Sequence, residues 1–376
     1  MLELKQTEFT QAWPLLRPFE YSLAIPAAIT GNNPGRFFVD DLRHPKTALA
    51  LTVEGYFLAG KHDNPATNAA LGRLFTDDIF SGRVFVNSNK YMGLGVHPQD
   101  WAARLPELIP THEAEPIEAF HYLCREIKFD WRAALPDGYS VRRVDRALLE
   151  DPNIVFPPPL DEWGGIEGNW GTPENFYRRA ISHCVVHQER VVSWSNCDNV
   201  AGDQIEIGII THPDYRRSGL GAIAAAATVE RCLEAGYRSI GWHCSVENTG
   251  SWKTAEKVGF KRQRQYNAYF YMIDPVDHLA ELGWYHYKQG AYQKTISYYE
   301  QVFAQRDQNP DYYYHLTAVA YAELGDAERA LKTLQAAFGH GWDDAEYTGA
   351  VSAFSILHNN PEWEMLLTKM SQNRSG

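Results

Sequence analysis

Residues 205–221 constrain the fold of this chain more than any other stretch. They read IEIGIITHPDYRRSGLG and run directly into the alanine-rich segment AIAAAATVERCLEAG. The alternating apolar start predicts a β-strand, the glycine-bearing middle predicts a loop, and the alanines that follow favour a helix. Such a loop directs main-chain N–H groups at one point beside a helix N-terminus, which favours a bound anion there.

The residues of the loop indicate the kind of anion. Gly219 and Gly221 let the backbone come close to a diphosphate, and Arg216 and Arg217 add positive charge beside it. The chain has a formal net charge of -12, so this pair of arginines is a local feature of an acidic protein. That balance argues against binding to nucleic acid or to an anionic membrane.

The pattern Arg216-x-x-Gly219-x-Gly221 resembles the coenzyme A pyrophosphate loop of the GNAT superfamily of N-acetyltransferases. A second block strengthens the resemblance, because Asn248-x-x-Ser251 and a helix ending in Gly259-Phe260 follow in the expected order. The resemblance implies an α+β fold with a mixed central sheet and flanking helices, and acetyl-CoA as co-substrate. It implies the following cofactor-binding residues: Ile209, Ile210, Thr211, Arg216, Arg217, Ser218, Gly219, Leu220, Gly221, Asn248 and Ser251.

Acetyl transfer to an amine also needs a group that draws a proton from the amine. Glu206 lies ten residues before Arg216, where several members of the superfamily place such an acidic residue. Strand alternation puts Glu206 on the opposite sheet face from its isoleucine neighbours, although a strand glutamate without a role is the alternative. His243, on the following strand, can assist the amine or simply pack.

The leaving thiolate needs a proton, and here the chain departs from the superfamily pattern. Ala255 stands where many members have a tyrosine. Cys244, Ser251, Tyr266 or solvent can replace that group, and Cys244 is included among the catalytic candidates with Glu206 and His243. No metal ligand set is predicted, because the five cysteines form no CxxC pair.

Three segments are predicted: residues 1–125, 138–274 and 276–372. The first is an α+β partner domain that resembles the N-terminal half of a bacterial GNAT subgroup through Ile29-Thr30-Gly31, Val39-Asp40-Asp41 and Leu58-Ala59-Gly60. The second is the acetyltransferase domain. Its Pro- and Gly-rich stretch 151–169, which includes Trp163 and is followed by Trp170, forms either a wall of the substrate cleft or a plain connector.

The C-terminal segment resembles tetratricopeptide repeats. Leu282-Gly283, Gly290, Tyr292, Tyr299 and Pro310 match the repeat pattern, and Gly325 follows Gly290 by 35 residues. Its aromatic residues are interpreted mainly as interhelical packing. Such an array presents a concave surface that binds a peptide, a protein or another part of the same chain.

These observations together predict an acetyltransferase that moves an acetyl group from acetyl-CoA to an amine of a small molecule or protein. The alternative is an acetyl-CoA-binding regulatory or scaffold protein without turnover, in which the repeats bind the partner. The odd cysteine count fits a reducing compartment, and no apolar run approaches a membrane span, so the cytoplasm is expected. The acceptor amine stays open, as does a homodimer.

Overall fold

The computed structural model describes residues 1–84, 86, 90–158 and 166–373. It has two compact units, Met1–Tyr271 and Met272–Gly376. The predicted architecture is confirmed: a mixed sheet with helices on it makes up the first unit, and the second is helical. Among the described residues, no helix has the length and apolar character that crossing a membrane would require.

The strands of the described residues form one sheet. They are β1 (Leu2–Glu3), β2 (Gly35–Val39), β3 (Thr47–Thr52), β4 (Tyr56–Gly60), β5 (Tyr91–His97), β6 (Glu115–Cys124), β7 (Tyr139–Arg143), β8 (His183–His187), β9 (Arg190–Ala201), β10 (Gln204–Thr211), β11 (Ser239–Ser245) and β12 (Lys261–Met272). Their order in the sheet is β1-β2-β3-β4-β5-β12-β6-β11-β10-β9-β8-β7.

The helices of the first unit are α1 (Trp13–Leu16), α2 (Ala24–Ile29), α3 (Pro65–Arg73), α4 (Leu105–Leu108), α5 (Trp131–Ala134), α6 (Arg146–Leu149), α7 (Ile166–Trp170), α8 (Pro173–Arg179), α9 (Leu220–Glu234) and α10 (Thr249–Val258). Those of the second unit are α11 (Pro275–Lys288), α12 (Tyr292–Gln305), α13 (Asp311–Glu323), α14 (Ala327–Gly339), α15 (Ala345–Ala350) and α16 (Pro361–Asn373). The predicted strand, loop and alanine-rich helix are β10, the 212–219 loop and α9.

Strands β10 and β11 separate part of the way along their length. They pair in parallel from Gln204 opposite Ser239 to Glu206 opposite Gly241, and no pair follows. Beyond that point β10 continues against β9 only, while β11 continues against β6. The two strands thus form a fork, and Glu206 lies where it opens.

Strand β6 links the N-terminal part of the chain to the fork. It lies between β11 and β12 and is antiparallel to both. Residues 1–125 and 138–274 therefore contribute strands to one sheet, whereas the sequence predicts that they are separate domains. Their division into two folding units stays a prediction.

The two faces of the sheet around the fork differ in character. Ile205 and Ile207 point into a large apolar cluster with Trp242 and the alanines of α9. Glu206 and His243, which alternate with these residues along their strands, face the other side. That side is closed by the N-terminal segment, where Leu23 packs beside α2 and contacts Ala201 of β9. The polar site is thus built between the sheet and the N-terminal segment.

The second unit consists of paired helices. Tight turns at Gly290 and Gly325, with φ of 69° and 80°, join α11 to α12 and α13 to α14. Gly283 lies against the ring of Tyr299, where an added Cβ would be 3.1 Å from ring atoms. Tyr299 and Trp363 are buried in its cores and therefore serve as packing residues.

The first unit is expected to fold without the second. Its apolar clusters use residues up to Tyr271, and those of the second unit begin at Val276. A protein truncated after Asp274 should stay soluble, unfold cooperatively and bind acetyl-CoA with an affinity within about threefold of the full chain. Circular dichroism melts and calorimetric titration test this, and aggregation of the truncated protein would contradict it.

Candidate active site

The loop before α9 has the geometry of an anion site. Gly219 is the N-cap of α9 with φ of 85°, a left-handed conformation that a side chain disfavours. Arg217, with φ of 64°, is also left-handed. These two left-handed residues lead into the 15-residue helix α9. The first main-chain N–H groups of the helix have no partner within it and are therefore directed at the loop.

One cavity of about 650 Å³ joins the loop to the fork. Nearly all residues predicted to bind the cofactor line it: Ile209, Ile210, Thr211, Arg216, Arg217, Gly219, Leu220, Gly221, Asn248 and Ser251. Ser218 does not line it, and its hydroxyl donates to the carbonyl of Tyr215. Lys253 and Lys257 of α10 add two cations that sequence reasoning missed. They could have been recognised in the sequence as two lysines one helical turn apart in the helix that follows Asn248.

Gly221 has a role other than the one expected. An added Cβ would lie 3.1 Å from Thr211 Oγ1 and 3.2 Å from Ile209 Cδ1. The missing side chain therefore lets α9 pack closely on β10, while Gly219 supplies the loop conformation. Both glycines serve the site, one through packing and one through its backbone.

The free edge of β10 faces the fork with alternate main-chain groups. His212 N–H donates to Val192 O at 2.9 Å, on the β9 side. In an antiparallel ladder this alternation directs the Ile210 N–H to β9 and those of Ile209 and Thr211 into the gap. Ile209 and Thr211 are therefore the residues placed to pair with an extended ligand.

Asn248 and Ser251 have structural partners within the cavity wall. Asn248 Oδ1 caps α10 by accepting the Ser251 N–H at 3.1 Å. The Ser251 hydroxyl accepts from Trp242 Nε1 at 3.0 Å. These contacts hold the start of α10 beside the fork, so both residues shape the cavity as well as lining it.

Glu206 is buried at the fork and is held by three donors. Its Oε1 accepts the Leu23 N–H at 2.9 Å and lies 3.0 Å from His243 Nε2, and its Oε2 accepts from Asn199 Nδ2 at 3.3 Å. Gly241 makes room for it, because an added Cβ there would be 2.6 Å from Glu206 Cγ. The glutamate is thus buried in one defined position, and its role as the proton acceptor stays a prediction.

His243 connects Glu206 to Tyr266. Its Nδ1 lies 3.0 Å from the Tyr266 hydroxyl. Since a carboxylate only accepts, a neutral His243 carries its proton on Nε2 and accepts the Tyr266 hydroxyl proton at Nδ1. Burial raises the pKa of Tyr266 well above its usual value, with a smaller effect of Tyr21, so the phenol stays protonated. Carboxylate, imidazole and phenol form one hydrogen-bonded chain.

His121 and Tyr21 enclose this chain. The rings of His121 and His243 stack with centroids 4.6 Å apart, and Tyr21 lies 4.7 Å from the ring of Tyr266. Burial, followed by the charge of His243, lowers the pKa of His121 to about 4, so its ring is neutral. Neither residue was found from the sequence, because their strand and loop reach the fork only through the order of the sheet.

Cys244 is not part of this group. It follows His243 on β11 and therefore points to the other face, against the apolar cluster that contains Trp242. Burial raises the pKa of the Cys244 thiol, while a hydrogen bond with Ser251 acts the other way. Its role as a proton donor stays a prediction.

A metal can be held here only at the expense of the hydrogen bonds. His121, Glu206 and His243 place ligand atoms within 4.8 Å of one another. The contact of 3.0 Å between Glu206 Oε1 and His243 Nε2 is that of a hydrogen bond, and Oε1 also accepts the Leu23 N–H. The arrangement suits an acid–base pair better than a cation site.

The stretch 151–169 is described only in part, and Trp163 lies outside the described residues. Val155 pairs with Arg190, and Asn169 O accepts from Asn33 Nδ2 at 2.9 Å. Trp170 is buried in the apolar cluster. The described ends therefore behave as a connector packed on the core.

Comparison with known proteins agrees with this geometry. A family model described as GNAT acetyltransferase matches residues 15–269, and a tetratricopeptide repeat model matches residues 286–353. An uncharacterized N-acetyltransferase of Bacillus subtilis strain 168, YdfB, is 24% identical over 239 residues, which cover 63% of this chain and 85% of that protein.

The fold is also similar to a solved structure. A GCN5-related N-acetyltransferase-like protein from Streptococcus suis 89/1591 superposes with a TM-score of 0.50 at 22% identity, covering 70% of this chain and 97% of that one. The family model, which matches residues 15–269, includes residues before and after the fork.

Proposed function

Because the chain belongs to the GNAT acetyltransferase family, we propose that it transfers an acetyl group from acetyl-CoA to an amine at the fork between β10 and β11. One observation carries the proposal. The Glu206–His243 pair, with 3.0 Å between Oε1 and Nε2, lies where β10 and β11 separate, and β10 residues from Ile209 onward line the cavity. A proton acceptor at the start of the gap in which a thioester would lie supports the proposal.

The cavity residues suit acetyl-CoA. The N-terminus of α9 and the cations Arg216, Arg217, Lys253 and Lys257 would hold the diphosphate, and the edge of β10 at Ile209 and Thr211 would hold the pantetheine arm. When bound, acetyl-CoA supplies an activated acyl group and a thiolate leaving group. The N–H groups that point into the gap would stabilise negative charge on the acyl oxygen.

The hydrogen-bonded group of Glu206, His243 and Tyr266 would accept the proton that the amine loses. Glu206 draws a proton from the attacking amine, directly or through water, and His243 orients the carboxylate by donating its Nε2 hydrogen to Oε1. Tyr266 donates to Nδ1 and so fixes the ring and its tautomer. The thiolate receives a proton from the hydrogen-bonded group of Glu206, His243 and Tyr266, from Cys244 or from water. In each turnover the amine loses one proton and the thiolate gains one.

Assay of coenzyme A release tests the proposal. With a panel of primary amines, the full chain should release free thiol continuously and form an N-acetyl product detectable by mass spectrometry. Thermal stabilisation by acetyl-CoA with no turnover of any amine would instead support the regulatory alternative, which no observation here favours.

Tyr266→Phe is expected to lower kcat by about tenfold while leaving the KM for acetyl-CoA unchanged. The variant removes the donor to His243 Nδ1 and lets the ring turn from Glu206. Tyr269→Phe on the same strand, which loses only a bond to Gln99, is the matched control. An unchanged kcat in Tyr266→Phe would show that the phenol does not position the histidine.

We also propose that the repeat unit binds a peptide or protein. A cavity of about 440 Å³ within this unit is lined by Trp284, Tyr312, Tyr347 and Glu281, among others. Exposed aromatic rings beside an acidic residue suit an apolar or basic peptide side chain. If the unit only recruits, truncation after Asp274 should preserve turnover of small amines.

A further inference from the structure

The turn between β3 and β4 brings a second carboxylate to Glu206. Glu54 lies close enough to the Asn199 side chain for that amide to favour its charged form, and Asn199 Nδ2 donates to Glu206 Oε2 at 3.3 Å. Asn199 thus connects an acid of the N-terminal segment to the acid at the fork. Its Oδ1 is buried and has no hydrogen-bond partner among the described residues.

A third carboxylate comes from a β-bulge. Opposite β10, Glu206 pairs with Asn199 and Ile207 pairs with Cys197, so Asp198 is the extra residue of β9. Its main-chain oxygen is held by Asn33 Nδ2 at 2.8 Å. Burial, followed by the charges of Glu54 and Glu206, raises the pKa of Asp198 well above its usual value. The bulge therefore directs Asp198 toward the other two acids.

Solvent reaches part of Glu54 and part of Asp198. Glu54 is exposed to solvent, yet protein atoms surround its carboxylate, and this burial with the charge of Glu206 raises its pKa to about 7. Because Glu54 is accessible while its carboxylate is enclosed, it lies in the wall of a recess, and Asp198 lies beside it. Tyr91 is also exposed, and burial of its hydroxyl, followed by the charges of Glu54 and Asp198, raises its pKa.

The recess has more negative than positive charge. Among the described groups that act on Glu54, only His243 can be cationic, and it is already hydrogen-bonded to Glu206. Arg264 of β12 lies over the ring of Tyr21, with 4.8 Å from Cζ to the centroid, and does not act on Glu54 or Asp198. Asp198 Oδ1 accepts from Asn196 Nδ2 at 3.4 Å, and Glu54 interacts with Asn199, but neither carboxylate has a cationic partner among the described residues. Enclosed carboxylates without a cation are unfavourable, so a cationic ligand is the natural complement.

We propose that Glu54 and Asp198 form an acceptor subsite for a second cationic group, so that the substrate is a small molecule with at least two protonated amines. This rests on the proposed function: Glu206 and His243 act on the amine that is acetylated, and the subsite holds another nitrogen of the same molecule. The unpartnered Asn199 Oδ1 accepts one of its N–H groups. The N-terminal segment then determines acceptor specificity.

Matched amines test the subsite. The full chain, assayed by coenzyme A release, should have a kcat/KM at least about tenfold higher for 1,4-diaminobutane than for 1-aminobutane. Glu54→Gln and Asp198→Asn should each lower the diamine value by about 10- to 100-fold and change the monoamine value at least about fivefold less. Asp203→Asn is the control, because it removes one charge from the exposed β9–β10 turn.

Two kinetic results would overturn the subsite: equal values for the two amines, or an equal loss for both in Glu54→Gln. Calorimetric titration of 1,4-diaminobutane into protein saturated with coenzyme A separates this inference from the proposed function. Binding that Glu54→Gln weakens, without any turnover, would support the subsite and refute acetyl transfer. Absence of diamine binding would refute the subsite even if monoamines were acetylated.

The pH dependence gives a second readout. Glu54 faces Glu206, His243, Asp198 and Tyr91, and its raised pKa of about 7 means that its charge appears between pH 6 and 8. Only the diamine uses the charge of Glu54, so the ratio of diamine to monoamine kcat/KM should rise with pH over this range. Taking the ratio removes the effect of deprotonating the reacting amine, which both substrates share. In Glu54→Gln the rise should be smaller, and an unchanged rise would contradict the role of Glu54.

Discussion

Gly219→Asp is expected to weaken acetyl-CoA binding by at least about 100-fold, because like charges brought together at a binding site repel by several kcal/mol. The substitution places a carboxylate at the N-cap of α9, where the diphosphate would lie. An aspartate tolerates the left-handed backbone at φ of 85° better than most residues, so the loss should come from charge more than from misfolding.

Gly202→Asp is the matched control for this prediction. It introduces the same side chain at a left-handed glycine, with φ of 59° and no atom within 4 Å of an added Cβ, on the turn between β9 and β10. Thermal unfolding at a cofactor concentration 100 times the wild-type dissociation constant should show about 2.7 kcal/mol of stabilisation for this control and little for Gly219→Asp. Retained affinity in Gly219→Asp would refute the loop assignment.

Glu206→Gln is expected to lower kcat by about 10²- to 10⁴-fold, the usual contribution of a general base. Glutamine preserves the size of the side chain and can still accept from Leu23, but it cannot take a proton. Acetyl-CoA affinity should change little, because Glu206 does not line the loop cavity. Steady-state kinetics at saturating acetyl-CoA, with calorimetry for the cofactor, measure both.

Two further variants show whether a lower kcat reflects proton transfer. Glu256→Gln changes a glutamate that also has a hydrogen-bonded partner, Tyr122 at 3.1 Å, and should leave kcat unchanged. His243→Asn should lower kcat, and combining it with Glu206→Gln should add little, because the two residues act as a unit. Near wild-type kcat in a folded Glu206→Gln protein would remove Glu206 from the mechanism.

The cofactor half of the site could be predicted because its residues are close together in the chain. Arg216 to Gly221 form one loop, and Asn248 follows after one helix and one strand, so local spacing already places them near one another. The repeats were predictable for the same reason, since each turn recurs after 35 residues. Glu206 could be selected because it lies on the strand that leads into the loop.

The acceptor half could not be predicted, because its contacts join distant parts of the chain. Leu23 N–H reaches Glu206 across 183 residues. His121 reaches His243 only because β6 inserts beside β11, and Tyr266 approaches from β12 on the far side. Glu54 has no motif around it, and no local pattern marks Asp198 as the residue of a bulge.

The sequence by itself determined the loop, the helix, the alternation that turns Glu206 away from the apolar core, and the repeated helices. These follow from short-range sterics, hydrogen bonding and periodicity. Only the tertiary structure decided which groups surround Glu206, because the order of strands in the sheet and the bulge in β9 bring residues of the N-terminal segment to the fork. That placement brings the carboxylates of Glu54 and Asp198 close to that of Glu206.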